Sequence, residues 1–575
     1  MIIEKQFDYN RNYKHAMPPS FMSKSPYIRR TYLTRVGSLI GKDLIKVITG
    51  MRRTGKSTLM DQIIDGLVQD GVSESRILKY DMESGRTPRF DDWESLYDAV
   101  MTWASGKDHA YVFLDEIQNI DGWHRCVRAL FTDLDADIFV TGSSSRMLSG
   151  EMATHLAGRY VEIPVMPFSF SEVADYIGQT CGMSEKELFM TYIRYGGMPI
   201  VVAGGYDPFV TGSILRAMYD SVVINDIAER RGIRNIAVLK EVMMYAMSET
   251  GHVINSSNVG NYLKSQGKKA SADSVLEYLG AAEDAMLLSK VLRKDIRGRE
   301  VMKIDHKYYL TDHGMREVCG FSNTASMDRI LENIVYNELR HRGYNVSIGK
   351  VGSSEVDFVA ERDGRPEYYQ VSYLLASEST VEREFRPLAS IGDNYPKYVL
   401  SMDETDLGRD GIIHRNILDW LMSRRSIRRS LVDYRSCADD LACEGVPVVL
   451  VCLVFGRRQH QHIQGHHDIG RLVVDSGSAL CTFEVRIHYH QEIQVAMIIC
   501  FVVCYRSEDD DQFWSEDNDD PFDDLVSLLV VEHPNPMVWM ELRRINEFRH
   551  RCMVSLRCSA RNSVNRSKPE SVPRA

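Results

Sequence analysis

The sequence predicts an α/β protein: a doubly wound parallel sheet built around a phosphate-binding loop, then a helical region containing a three-helix-and-hairpin unit, then a small α/β domain. Three observations predict it. The β-rich run Leu44–Thr49 leads into the pattern G-x-x-x-x-G-K-[ST] at Gly50–Ser57. A second apolar run, His109–Leu114, ends in the paired carboxylates Asp115 and Glu116. Between and after them, runs of strand length alternate with helical periodicity, the rhythm of a parallel sheet with helical crossovers.

Each element follows in order. Gly50-Met51-Arg52-Arg53-Thr54-Gly55-Lys56-Ser57-Thr58 precedes the helical pattern Leu59, Met60, Ile63, Ile64, Leu67. Glycines let the backbone bend so that successive N–H groups face phosphate oxygens, and a helix N-terminus adds partial positive charge. Gly50, Arg53, Thr54, Gly55, Lys56, Ser57 and Thr58 are therefore expected to hold a nucleotide. Lys56 would reach the β- and γ-phosphates and Ser57 would ligate Mg²⁺. Arg76–Asp81 reads as a strand, Trp93–Trp103 as a helix, and Trp123–Leu134 as another. In a parallel sheet, ligands sit beyond the carboxyl ends of the strands, where Asp115 and Glu116 also lie. Asp115 would hold Mg²⁺ through water, and Glu116 would act as general base on the attacking water. Asp137–Gly142 reads as a strand beside the Asp115 strand, ending in hydroxyls, so Thr141 or Ser143 is placed to sense the γ-phosphate.

The stretches GMRRTGKSTLM, YVFLDEIQNIDGW, FVTGSSSRMLS, LAGRYVEIPVMPFSF and YGGMP together resemble prokaryotic AAA-superfamily ATPases. Members of that group carry a P-loop domain, a winged-helix region and a restriction-endonuclease-like C-terminal domain. The resemblance spans residues 30–423. It implies ATP as the nucleotide, a Mg²⁺-dependent ATPase activity, Thr141 to Ser144 as a sensor segment, and Arg159 as a candidate sensor or finger arginine. The implied domains are 1–165 (ATPase), 166–235 (helical), 236–320 (winged-helix-like), 321–423 (endonuclease-like) and 424–575 (a tail outside the family pattern).

In the middle region, Ile236–Ser248, Ser256–Ser265 and Ser271–Leu287 read as three helices. Leu288–Ile296 and Val301–Leu310 read as a ribbon, a winged-helix arrangement whose third helix and hairpin could meet DNA. From Lys264 to Lys307 there are ten Lys or Arg against seven Asp or Glu, an excess of three. The third helix itself carries Asp273, Glu277, Glu283 and Asp284, which repel phosphate. DNA at Lys264–Lys307 and an unidentified protein are the candidate macromolecular partners, and oligomeric state is open.

The third domain pairs a helix containing Glu332 with strands containing Asp357 and Gln370-Val371-Ser372. Metal-dependent phosphodiester cleavage needs carboxylates for Mg²⁺ and a group that activates water. Glu332 and Asp357 occupy two such positions. At the third, an amide and a hydroxyl stand where a carboxylate and a lysine would be needed, so a non-cutting binding domain is expected. Two rival readings remain for the whole chain: an ATP-dependent DNA-processing protein, and a nucleotide-gated binding switch with little turnover.

Composition sets the limits. The 575 residues carry a formal charge of −11, which excludes a globally basic nucleic-acid coat. No apolar run approaches the roughly 18 residues of a membrane span. Met1–His15 lacks the apolar core of a signal peptide, and the chain is expected in the cytoplasm. Residue usage breaks near Ser423: three of eleven cysteines precede it, and the Lys-to-Arg ratio falls from 19:31 to 1:18. The tail holds His460, His462, His466, His467 and Asp468, and an acidic run over Ser507–Asp524. No Cys pair there has the two-residue spacing of a zinc finger and the acidic run lacks the ligand spacing of a calcium loop, so the tail reads as a non-homologous, partly disordered extension.

Overall fold

Val, Ile, Leu and Phe dominate the first five strands because both faces of the sheet they form are covered by helices. The computed structural model describes residues 26–143, 158–178, 181–268, 270–296, 298 and 301–423, together with strand backbone in the tail. β1 (Ile45–Thr49) is buried at all five positions. β2 (Ile77–Asp81), β3 (Ala110–Asp115), β4 (Ala136–Gly142) and β5 (Tyr160–Pro164) join it in a wholly parallel sheet of order β2-β3-β4-β1-β5. The helices Lys56–Gln69, Trp93–Ala104 and Trp123–Asp133 supply crossovers. Phe113 and Phe139 stack at 4.5 Å between β3 and β4, a pair worth roughly 1 kcal/mol beyond its burial. This is the α/β sheet of a P-loop nucleotide-binding domain, and its central β1 and β3 deliver both motifs to the same edge.

Ser169 and Ser184 start the next helices with reciprocal capping boxes to Glu172 and Glu187. The helices Ile236–Ser248, Ser256–Ser265 and Ala272–Asp284 then lead into a ribbon of β6 (Leu288–Asp295) and β7 (Val301–Leu310). These match the expected elements, but the ribbon is not a free wing. β6 pairs in parallel with β8 (Asn345–Val351), placing β6 and β7 in a seven-stranded sheet with β9 (Ser354–Arg362), β10 (Arg365–Val371), β11 (Lys397–Ser401) and β12 (Ile413–Asn416). A boundary at residue 320 therefore runs through one continuous sheet. The edge hydrogen bonds of β6, which a free wing would offer to a partner, are used by β8.

Packing makes the same point. One buried cluster joins Phe168, Phe170 and Phe189 of the helical region to Tyr309 on the ribbon and to Tyr336, Phe358 and Trp420 of the third domain. No helix among the described residues is long and apolar enough to cross a membrane. Residues beyond 427 form a separate unit. Within it, β13 (Val448–Gly456), β14 (Gly470–Asp475), β15 (Leu480–His490) and β16 (Val495–Cys504) make an antiparallel sheet of order β13-β16-β15-β14. The histidine cluster and the acidic run lie outside the described residues.

Candidate nucleotide site

The loop after β1 has a backbone that its glycines permit. Gly50 has φ 154°, and a Cβ there would lie 2.4 Å from the Val165 carbonyl oxygen. Gly55 has φ 94° and serves as N-cap of the Lys56–Gln69 helix without a side-chain bond. That leaves the first N–H groups of the helix free for an anion. Thr54 Oγ1 donates to the Met51 carbonyl at 2.9 Å, which ties the loop across its base. Arg53, Ser57 and Thr58 are exposed, whereas Thr54 and Lys56 are buried.

The acidic motif faces this loop. Lys56 Nζ lies 3.2 Å from Glu116 Oε1 and 3.4 Å from the Met51 carbonyl oxygen. Glu116 has φ 51°, a left-handed conformation that disfavours non-glycine residues. It is held there because its N–H donates to Thr141 Oγ1 at 2.8 Å, while the Thr141 hydroxyl donates to Asp115. Gln118 donates to the other Glu116 oxygen. Burial works against the Glu116 carboxylate, but Lys56, Gln118 and Arg52 outweigh it and hold its pKa below the usual range. Thr141 therefore organises both carboxylates, and Ser143 is buried one register step beyond the strand end. Ser144 lies outside the described residues.

Arg159 is elsewhere. β5 runs parallel to β1 with Ile45 opposite Tyr160 and Thr49 opposite Pro164, so Arg159 precedes the strand at the sheet's opposite edge. Its carbonyl accepts from Ile45 N–H, and its exposed guanidinium lies 5.9 Å over Phe131. Five strand residues put it roughly 15 Å from the loop. The expectation that it senses nucleotide within its own chain is corrected: the parallel register carries Pro164, not Arg159, to the site.

Three groups that motif reading missed do reach the site. A π-helix, Val222–Glu229, brings Asp226 beside Lys56, Arg52 and Glu116. Burial raises the Asp226 pKa, against the pull of Arg230. Arg230 lies 3.2 Å from Asp226 and donates to Ser143 Oγ at 3.1 Å. An acidic residue and an arginine four apart, after the apolar run Val222–Ile224, were the available signal. Arg29, only 3% exposed, pairs with Glu172 at 2.8 Å and donates to the carbonyls of Met166 at 2.7 Å and Thr54 at 3.5 Å.

The YGGMP stretch supports the loop from behind. A Cβ on Gly196 would strike Asp312 at 2.2 Å, and one on Gly197 would strike the Phe168 carbonyl at 2.1 Å. Both glycines are thus required by close approach. Asp312 accepts the N–H groups of Gly197 at 2.8 Å and Gly314 at 2.9 Å, yet full burial pushes its pKa to about 7. Beside it, His313 donates from Nε2 to the Tyr192 carbonyl at 2.7 Å, and burial lowers its pKa to about 4.

In the basic stretch Lys264–Lys307, four of the ten Lys and Arg residues are paired with carboxylates. Lys268 pairs with Glu241, Arg293 with Glu355 at 2.9 Å, Lys294 with Glu361 at 2.8 Å, and Lys307 is buried. Lys264 is exposed, while Lys269, Arg297 and Arg299 lie outside the described residues. In the third domain Asp357 accepts from Val371 N–H at 2.9 Å. Gln370 accepts from Asp357 N–H at 3.4 Å and donates to Glu384 at 2.9 Å. Ser372 donates to the Leu374 carbonyl at 3.5 Å.

Comparison with known proteins now adds to this geometry. An uncharacterized protein of Haemophilus influenzae is 36% identical over 407 residues, covering 70% of this chain and 100% of that protein. An uncharacterized protein of Methanocaldococcus jannaschii is 30% identical over 354 residues, 60% of this chain and 77% of that one. The chain belongs to their family. Within this family member, residues 42–174 match the AAA domain, and residues 186–324 match a domain of unknown function. The solved Walker-type ATPase of Pyrococcus abyssi is 14% identical, covering 52% of this chain and 98% of its own, with a TM-score of 0.39. The match of residues 42–174 gives this family member an AAA-type domain, and the Gly50–Thr58 loop lies within it.

Proposed function

We propose that this protein hydrolyses ATP with Mg²⁺ at the Gly50–Thr58 loop and couples the nucleotide state to its downstream modules. The observation that carries the proposal is the Lys56–Glu116 contact at 3.2 Å, with Thr141 bonded to both Asp115 and the Glu116 N–H. Polyphosphate would enter the cradle left by Gly50 and Gly55, and Lys56 would exchange Glu116 for the β- and γ-phosphate oxygens. Backbone N–H groups from Arg53 to Thr58 point the same way in such loops, and the helix start favours negative charge. The exposed Ser57 and the buried Asp115 are the groups that would hold Mg²⁺. P-loop sites give that ion few protein ligands, the rest being phosphate and water, which fits two oxygen donors here. When bound, Mg²⁺ offsets charge on the phosphates.

Glu116, released by Lys56, would take the proton of the attacking water as general base. Before that release, against the effect of burial, Lys56 and Gln118 hold its pKa below the usual range. Thr141 fixes its direction through the backbone, and Ser143 with Arg230 forms a contact that a γ-phosphate could rearrange. Asp226, next to Lys56 and Glu116 on the π-helix, would make that helix sensitive to the charge of the occupant.

The test is phosphate release by the full chain with ATP and Mg²⁺, with and without added DNA. Lys56→Ala should abolish it. Glu116→Gln should bind nucleotide and release little phosphate. Equal release by wild type and Lys56→Ala would refute the proposal, and binding without turnover in wild type would favour a nucleotide-gated switch.

A further inference from the structure

Lys307 is the least expected residue in the third domain. It sits on β7, outside the motif that marks the domain, and is only 6% exposed. Its Nζ lies 3.0 Å from Glu332 Oε1 and 2.8 Å from Glu355 Oε1. Glu332 comes from the Met327–His341 helix, and Glu355 and Asp357 come from β9. Three elements thus converge on one ammonium group. Tyr309, two residues along the same strand face, donates its hydroxyl to Glu332 and stacks on Tyr336 at 4.6 Å. Arg293 on β6 closes the remaining side of Glu355 at 2.9 Å.

We propose that Lys307 is a resident cation that takes the place a metal ion would need among Glu332, Glu355 and Asp357, making the third domain a metal-free module that does not cut nucleic acid. Two independent features support this. The first is charge: Lys307 and Arg293 already match Glu332 and Glu355 one for one. A divalent cation entering beside a buried ammonium would meet strong repulsion at low effective dielectric. The second is ligand geometry. Both Lys307 contacts have the length of charge-assisted hydrogen bonds, so the ammonium already occupies the carboxylate oxygens that a metal would use.

Gln370 is consistent with that assignment. Its carboxamide accepts from the Asp357 backbone N–H on β9 and donates to Glu384 on the Glu378–Ala389 helix, adding no charge of its own. The cluster is complete with the protein's own groups.

The experiment counts Mn²⁺ bound per full chain without nucleotide, from the electron paramagnetic resonance signal of free Mn²⁺. Wild type and Asp357→Asn should bind the same number. Lys307→Met should bind one more, and Lys307→Met combined with Asp357→Asn should lose it again. A wild-type Mn²⁺ that disappears in Asp357→Asn would overturn the proposal, as would a folded Lys307→Met that gains none. If circular dichroism finds Lys307→Met unfolded, the wild-type and Asp357→Asn pair still decides. Nicking of supercoiled DNA by wild type in Mg²⁺, lost in Asp357→Asn, would also overturn it.

Discussion

Lys56 and Lys307 are both buried lysines facing glutamates near strand ends, yet they are built for opposite ends. Lys56 has one carboxylate at 3.2 Å and one long carbonyl contact at 3.4 Å, in a loop whose glycines leave room beside it. Lys307 has carboxylates at 3.0 and 2.8 Å, with Tyr309 and Arg293 bracing them. The difference teaches that a buried ion pair is a place-holder when one partner is supplied by a strained residue such as Glu116. It is a fixture when several elements supply the partners. The first can be exchanged for phosphate at little cost; the second cannot be opened without stranding charge.

The sharpest break of this comparison is chemical. Glu116→Gln should lower phosphate release by roughly 10²–10⁴-fold, the usual contribution of a general base, with nucleotide binding retained. Single-turnover kinetics and fluorescent-nucleotide binding would separate the two effects. Truncating the lysines should next divide the sites by stability. Lys307→Ala takes the ammonium from half-buried Glu332, which keeps Tyr309, and from Glu355, which keeps Arg293, and should cost about 1–3 kcal/mol in urea unfolding. Lys56→Ala should cost less, because it takes an ammonium from one carboxylate rather than two and Glu116 keeps Gln118. Equal losses would show that the two pairs are alike.

Asp312 and His313 give a pH test of the layer between the two sites. The folded chain keeps Asp312 protonated up to about pH 7, while the unfolded chain releases that proton near 3.8. Its contribution to stability therefore falls as pH rises through that window. His313 is the reverse: neutral in the fold down to about pH 4 and charged when unfolded below 6.5, so its contribution falls as pH drops. Side by side they offset each other in wild type. Asp312→Asn should give a stability that rises from pH 4 to 6.5, and His313→Gln one that falls from pH 4 to 7. Each slope should amount to on the order of 3 kcal/mol over its window, measured by thermal or urea unfolding.

The smallest expected effect is at Arg230, which is partly exposed and bonds to Ser143. Arg230→Ala should cost under about 1 kcal/mol of stability, as partly exposed pairs do. It should also weaken any nucleotide-dependent change in protease sensitivity of the 222–229 helix. An unchanged digestion pattern with and without nucleotide would remove that helix from the coupling path.

Much of this was legible in the chain. Gly50, Gly55 and Lys56 are set by local backbone geometry and spacing, and the Asp115–Glu116 pair follows an apolar strand. Local patterns of this kind survive without knowledge of distant contacts. The helices from 236 to 284 and the ribbon were equally legible, because periodicity and turn residues are local. The ribbon's membership in a seven-stranded sheet was not, since the pairing of β6 with β8 joins segments some fifty residues apart. Arg159 shows the same limit. The family resemblance implied a role for it, but strand direction put it at the far edge.

The sequence by itself determined the phosphate loop, the acidic motif, the parallel sheet that unites them, and the absence of a lysine from the third domain's own motif. Only the tertiary structure decided what stands in for that lysine's charge, which arginine reaches the nucleotide edge, and why Gly196 and Gly197 are needed. The reason is physical. Backbone bends and apolar periodicity are fixed within a few residues, whereas the environment of a charge is fixed by whatever the fold packs against it. Lys307 and Glu332 become partners only when a strand and a helix from separate parts of the chain close on each other.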